Sequence, residues 1–309
     1  MDTDMQFWAE IWRRWRRQLK SNAPFVRRRE YRVMQHKYAQ LIESIDGLAT
    51  PATQARLRIR KLLTQEMAGE VCLFVTHATQ PVLKTHVIHH IGYLLNAGIQ
   101  VILIVNTNLA PETLIIDADL EAQLSGVLVR ENTGFDFGAW AHACSLLDRQ
   151  LWHRLYFIND SIVGPFNQTE FARMVERIKI SNADFLGLTE SLAPIRHLQS
   201  YFLVFNRNAL LSQAFNKRLS SIQNLSEKGQ VVDVYEVRLT QQLCAMGLRF
   251  EALFPALSSD LNSSDDTSAR WSQLLSVGFP YLKTSVIKEF PRNPKVLMAR
   301  KSGRVDAQI

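Results

Sequence analysis

From residue 71 onward, runs of β-branched and aliphatic residues alternate with amphipathic stretches. VCLFVT (71–76), VILIVN (101–106), GVLVRE (126–131) and RLYFIND (154–160) are apolar at nearly every position, the pattern of strands buried on both faces of a sheet. Apolar positions recur at helical spacing from about Pro81 to Asn96, closed by Gly98, and from the end of the NTGFDFG loop (132–138) to about Arg149. Further along, the spacing predicts a helix near 168–179, strands at 184–188 and 200–206, a helix from about Asp233 to Met246, and a returning strand RFEALF (249–254). Residues 255–270 are rich in Ser and Asp and predict a long loop. Strands and helices alternating at these lengths predict an α/β fold, a mostly parallel sheet flanked by helices. Ligands of such sheets sit at the carboxyl ends of the strands. His77, Asn106, the 132–138 loop and Asn159-Asp160-Ser161 therefore share one rim.

The N-terminus has a different pattern. In QFWAEIWRRWRRQLK (6–20), Phe7, Trp8, Ile11, Trp12, Trp15 and Leu19 form one helical stripe, while Arg13, Arg14, Arg16, Arg17 and Lys20 occupy the other face. Indole rings beside guanidinium groups suit a helix lying in an anionic membrane interface; packing on the protein's own core is the plainer alternative. Arg27, Arg28, Arg29 and Arg32 extend the basic surface, so residues 6–32 form the expected membrane contact.

Charge follows the same division. The formal charge is +7, with 36 Lys and Arg against 29 Asp and Glu. Residues 1–37 hold 10 basic against 4 acidic residues, residues 288–309 hold 6 against 2, and the body between them is slightly acidic, at 20 against 23. The expected organisation is a basic amphipathic segment (1–37), a helical connector (38–69), a catalytic-type domain (70–290) and a basic tail (291–309). No nucleic-acid-binding motif follows the basic segment, so nucleic acid is not an expected partner. No run approaches 18 apolar residues and no signal-peptide h-region is visible. Three widely spaced cysteines, Cys72, Cys144 and Cys244, make a poor disulfide framework and suit a reducing cytoplasm.

A Walker A loop, a GxGxxG after a strand, CxxC, HExxH and GxSxG are all absent. His86, His89 and His90 share a helix, but with no third ligand in view they read as a solvated helix surface. The rim loops carry more information. In Arg130-Glu131-Asn132-Thr133-Gly134-Phe135-Asp136-Phe137-Gly138, either the glycines admit a ligand such as a diphosphate to the following helix N-terminus, or the segment is a strand–helix turn in which Asp136 caps the helix. Arg130 could equally be a salt-bridged surface residue. In Tyr156-Phe157-Ile158-Asn159-Asp160-Ser161, a buried strand delivers one acid between two neutral oxygen-bearing residues, a ligand type suited to Mg²⁺ or Mn²⁺.

RENTGFDFGAW, LYFINDSIVGPF, DFLGLTES, HLQSYFLVF, YEVRLTQQL followed by Gly247, and GFPYLKTSV together resemble the rhamnan synthesis protein F family over roughly residues 70–290. Through that family the chain is similar, more distantly, to family 2 glycosyltransferases of the GT-A fold. The resemblance implies a GT-A-like domain and an inverting glycosyltransferase, of hexosyltransferase or rhamnosyltransferase type, acting in polysaccharide assembly. The nucleotide-sugar donor it points to is dTDP-rhamnose, and the acceptor a lipid-linked glycan, such as a lipopolysaccharide precursor of the cell envelope, at the inner face of the cytoplasmic membrane. His77, Asn132, Gly134, Asp136, Gly138, Asn159 and Asp160 would hold the donor. The Asp-x-Asp pair of metal-dependent relatives is reduced to Asn159-Asp160-Ser161; a single carboxylate can hold Mg²⁺ when phosphates complete the shell, so Mg²⁺ or Mn²⁺ is expected at Asp160.

The resemblance also places Glu236 as the catalytic base, with Asp233 on the same helix face or acting as N-cap; without it, Glu236 reads as an ordinary first-turn acid. His197 and Gln199 are candidates for binding sugar, and Lys283 for closing over phosphate. The alternative to an enzyme is a catalytically degenerate scaffold module, suggested by the missing second acid.

Overall fold

The computed structural model describes residues 49–61, 67–256, 266–293 and 295–298. The amphipathic segment at 6–32 and the last residues of the basic tail lie outside them. Among the described residues no helix is long and apolar enough to cross a membrane.

The chain forms β1 (Leu57–Lys61), β2 (Gly69–His77), α1 (Thr85–Asn96), β3 (Gln100–Thr107), β4 (Gly126–Glu131), α2 (Phe135–Leu146), β5 (Trp152–Asn159), α3 (Gln168–Ile180), β6 (Phe185–Ser191) and β7 (Phe202–Asn206). A composite helix α4 follows, with α-helical turns at Lys228–Val231 and Val237–Ala245 around a π-helical segment, Val232–Glu236; β8 (Phe250–Phe254) closes the sheet. The strand order is β8-β6-β7-β5-β2-β3-β4-β1. Pairs β2–β3, β2–β5, β3–β4 and β6–β8 are parallel, while β7 runs antiparallel to both its neighbours and β1 antiparallel to β4. Six strands thus share one direction, and their carboxyl ends line one rim.

Alternation along each strand feeds two cores. Val71, Leu73 and Val75 of β2 pack toward α2 and α4, whereas Cys72 and Phe74 pack toward α1 and α3. Helix α2 is buried from Phe137 to Cys144, because Gly138, Ala139, Ala141 and Ala143 let it lie close on the sheet. Its largest residue there, Trp140, stacks on Phe157 at 4.8 Å between centroids and donates its indole N–H to the Leu73 carbonyl.

The parallel, helix-flanked sheet is as expected; several details differ. Residues 50–61, expected within a helical connector, are largely extended: Thr50–Pro51 pairs with Gln223–Asn224, and β1 joins the sheet. Helix α4 starts at Lys228, not Asp233. The expected loop at 255–270 ends in a short helix, Asp266–Ala269, and a second, Trp271–Ser276, follows it. The tail is not free from residue 291, since Val296 is fully buried with Val163, Leu282, Val286 and Ile287. The three histidines of α1 do not form a solvated surface either, because His86 and His90 are buried. His90 sits among Phe74, Phe202 and Tyr281 and meets the Tyr281 hydroxyl at 3.0 Å. Burial, reinforced by His86 and His89, lowers its pKa to about 3, so it stays neutral. All three cysteines are free thiols.

Candidate active site

Asp160 follows β5 directly and its Oδ2 is saturated: it accepts from Thr76 Oγ1 at 2.6 Å, from the His77 backbone N–H at 3.1 Å and from Lys84 Nζ at 2.6 Å. His77 thus contributes through its main chain, its residue being exposed. Asn159 points the other way. Its Nδ2 donates to Asp136 Oδ2 at 2.7 Å and its Oδ1 accepts from the backbone and hydroxyl of Ser161. Asn106, at the end of β3, donates from Nδ2 to the Phe135 carbonyl at 3.3 Å. Two strand-end asparagines therefore fasten the first turn of α2, where Phe135 has a left-handed φ of 53°. A bulky residue there costs about 1 kcal/mol or more.

Asp136 stands in that turn near Asp160 and Glu236. Burial of its carboxyl, then the charge of Asp160, push its pKa up to about 7, with Glu236 adding and the Asn159 hydrogen bond and Lys228 opposing. A carboxyl neutral in the folded state near pH 6 and ionised in the unfolded chain lowers stability as pH rises from about 4 to about 7. Asp136→Asn keeps the size and the contact to Asn159 without the charge. It should match the wild type near pH 4 and exceed it by on the order of 2 kcal/mol at pH 8, read as a melting-temperature gap that opens across that interval.

Glu236 lies in the π-helical segment, inside α4, not in its first turn. The wide turn aims it at β7's entrance, where Oε2 accepts from the Ser200 N–H at 3.0 Å and from the Ser200 hydroxyl. His197 Nε2 lies 4.0 Å from Glu236 Oε1 while its Nδ1 meets the Ile195 carbonyl. Asp233 is exposed and does not cap the helix; it shares the π-helical segment with Glu236. Gln199 is buried, its Oε1 accepting from Thr189 and Thr267, which ties the helix at Asp266–Ala269 to β6. Lys283 pairs in register with Ile162, and its Nζ lies 5.6 Å above the Tyr201 ring.

The 132–138 segment is a correction. Helix α2 begins at Phe135, so Gly138 is helical and its N–H bonds to the Gly134 carbonyl. A Cβ on Gly134 would meet Asn224 Cα at 2.9 Å, and one on Gly138 would meet Asn224 Oδ1 at 2.9 Å and Arg130 Nη2 at 3.2 Å. The glycines make room for the chain's own Asn224. Arg130 is interior rather than a surface salt bridge: it donates to His142 Nδ1, the carbonyls of Glu131, Thr133 and Ala52, and Asn224 Oδ1. Burial lowers its pKa to about 10, still charged at neutral pH. Asn132 is exposed on the outer turn.

The donor set does not fit the expected divalent ion. Among the described residues no three His, Cys, Asp or Glu side chains cluster as metal ligands. Both polar atoms of the Asn159 amide are engaged, and a Lys84 ammonium already sits on Asp160. Lys84, Thr76, Ser200 and Asn224 were not candidates from the sequence. Lys84 had one signal: it is the N-cap residue of α1, where the helix dipole disfavours a cation.

Comparison with known proteins adds the family. Residues 101–301 match rhamnan synthesis protein F. Virulence protein VirA of Vibrio anguillarum is 25% identical over 211 residues, covering 58% of this chain and 67% of that protein. The uncharacterized protein y4gN of Sinorhizobium fredii is 27% identical over 134 residues, 41% of this chain and 34% of its own. Among solved structures, a protein assigned as a nucleotide-diphospho-sugar transferase from Desulfovibrio desulfuricans aligns with 76% of this chain and 99% of its own at 13% identity, with a TM-score of 0.35. The family match spans well over half the chain and includes Asp136, Asn159, Asp160 and Glu236, and the chain belongs to the rhamnan synthesis protein F family.

Proposed function

We propose that the chain is a glycosyltransferase of GT-A type, moving a sugar from a nucleoside-diphosphate sugar to a growing cell-surface polysaccharide. The observation that carries this reading is the convergence of Asp136, Asp160 and Glu236 at the carboxyl rim of a mostly parallel sheet, joined to the family assignment. Transfer with inversion breaks the bond between the anomeric carbon and the diphosphate oxygen, whose electron pair leaves with the diphosphate. The acceptor hydroxyl attacks from the opposite face and its proton passes to a base. Glu236, oriented by Ser200, is the base in this reading; Asp160 and its donors organise the diphosphate side; Asp136, whose pKa of about 7 leaves it protonated below neutrality, then offers a hydroxyl to the sugar or ribose. The test is release of nucleoside diphosphate from a panel of sugar nucleotides, dTDP-rhamnose included, by the full chain with membranes carrying lipid-linked glycan. Release with one donor, dependent on the acceptor, supports the reading; none from any donor opposes it.

A non-catalytic scaffold is favoured by one observation, the use of both Asn159 amide atoms inside the protein. Nucleotide binding without turnover would select it.

In this reading the enzyme works at the cytoplasmic face of the membrane, where a lipid-linked acceptor is presented. Each Lys or Arg near an anionic leaflet contributes about 1 kcal/mol. Removing residues 1–37 should release the protein from vesicles containing anionic lipid in a sedimentation assay; undiminished binding would transfer the role to the basic C-terminal residues.

A further inference from the structure

We propose that Lys84, rather than a divalent metal ion, is the cation that neutralises the donor diphosphate, and that Asp160 is the residue that positions it. The inference rests on the nucleotide-sugar reading above. Lys84 Nζ donates to Asp160 Oδ2 at 2.6 Å, and its side chain keeps 40% of its surface exposed; an ammonium has three N–H donors, and this bond uses one of them. Asp160 Oδ2 takes two further donors, Thr76 Oγ1 and the His77 N–H. An ion on the remaining oxygen would face the ammonium across one carboxylate, and Asn159 supplies no second oxygen, its Oδ1 being committed to Ser161.

The placement runs against local preference. As the N-cap residue of α1, Lys84 has no side-chain cap hydrogen bond, and its charge stands at the positive end of the helix. Asp160 compensates that cost, which is the behaviour of a residue kept for its chemistry rather than for its helix. A diphosphate reaching the rim would meet a fixed ammonium and the positive end of α1 together, both complementary to the charge that grows as the sugar bond breaks. Lys84 remains protonated throughout: it stabilises the leaving diphosphate by hydrogen bonding, and no proton leaves it.

The test is calorimetric titration of the full chain with UDP, dTDP, GDP, CDP and ADP, in excess EDTA and again in millimolar MgCl₂ or MnCl₂. At least one nucleotide should bind with the same affinity in both conditions. Lys84→Met should weaken that binding roughly tenfold to a hundredfold, and Lys84→Arg should restore most of it. The wild-type comparison between EDTA and metal needs no variant, so a misfolded Lys84→Met leaves the question decided. Binding that requires metal, or binding unchanged in a folded Lys84→Met, overturns this inference while leaving the nucleotide-sugar reading intact. Absence of binding by every nucleotide in both conditions overturns both.

Discussion

Replacing Glu236 by glutamine should lower the rate of sugar transfer roughly a hundredfold to ten-thousandfold, with nucleotide binding and melting temperature nearly unchanged. A glutamine carbonyl can still accept from the Ser200 N–H and hydroxyl, so the local hydrogen bonds survive. What disappears is the ability to take a proton from the acceptor as the new glycosidic bond forms. The effect should fall on kcat, because the residue acts on the acceptor oxygen in the transition state and not on the donor in the ground state. Retained activity in Glu236→Gln would move the base elsewhere. Asp136 is the group within the same cluster whose pKa near 7 suits it to the task, and Asp136→Asn would then be the inactive variant.

The second large effect concerns stability. Arg130→Met should destabilise the fold by about 3 kcal/mol or more, measured by urea denaturation with an unchanged m-value. The guanidinium satisfies His142 Nδ1, three carbonyls and Asn224 Oδ1 in a buried setting, bridging β4, the turn before α2, Ala52 and the 223–224 strand. Methionine fills part of the volume and leaves those acceptors without a donor. Near-neutral stability combined with lost nucleotide binding would contradict this account and return the 130–138 segment to a ligand-binding role.

Those two residues mark the limits of what the sequence reveals. Strands β2, β3, β4 and β5 are legible because a parallel strand covered on both faces must be apolar at almost every position. Strand direction is not legible by the same rule: β7 reads FLVFN and is buried on both faces like its parallel neighbours, yet runs the opposite way. Edge strand β1, LRIRK, lacks an apolar run because its arginines are paired with Glu112 and Glu121 across the surface. Asp160 is legible as an acid ending a buried strand. Its partner Lys84 is not, since 76 residues separate them and only the β2–β5 pairing brings the two loops together.

The glycines of the 132–138 segment show the opposite failure. A Gly-x-x-x-Gly spacing beside a helix start is compatible with a bound phosphate and with a close-packed side chain, and the choice lies with Asn224, about 90 residues away. Glu236 was identified through the family and not through its local pattern. Reading Asp233 as a helix start made Glu236 a first-turn acid, whereas α4 begins at Lys228 and its π-helical segment turns Glu236 inward to Ser200.

The central claim is that the rim around Asp136, Asp160 and Glu236 holds a nucleotide-sugar. Its most direct test is a thermal-shift panel of sugar nucleotides on the full chain, repeated with Asp160→Ala. The account predicts a selective stabilisation by one nucleotide, of about 2.7 kcal/mol when the ligand is at a hundred times its Kd, that disappears in a folded Asp160→Ala. No shift with any sugar nucleotide, or a shift that survives that substitution undiminished, would contradict it.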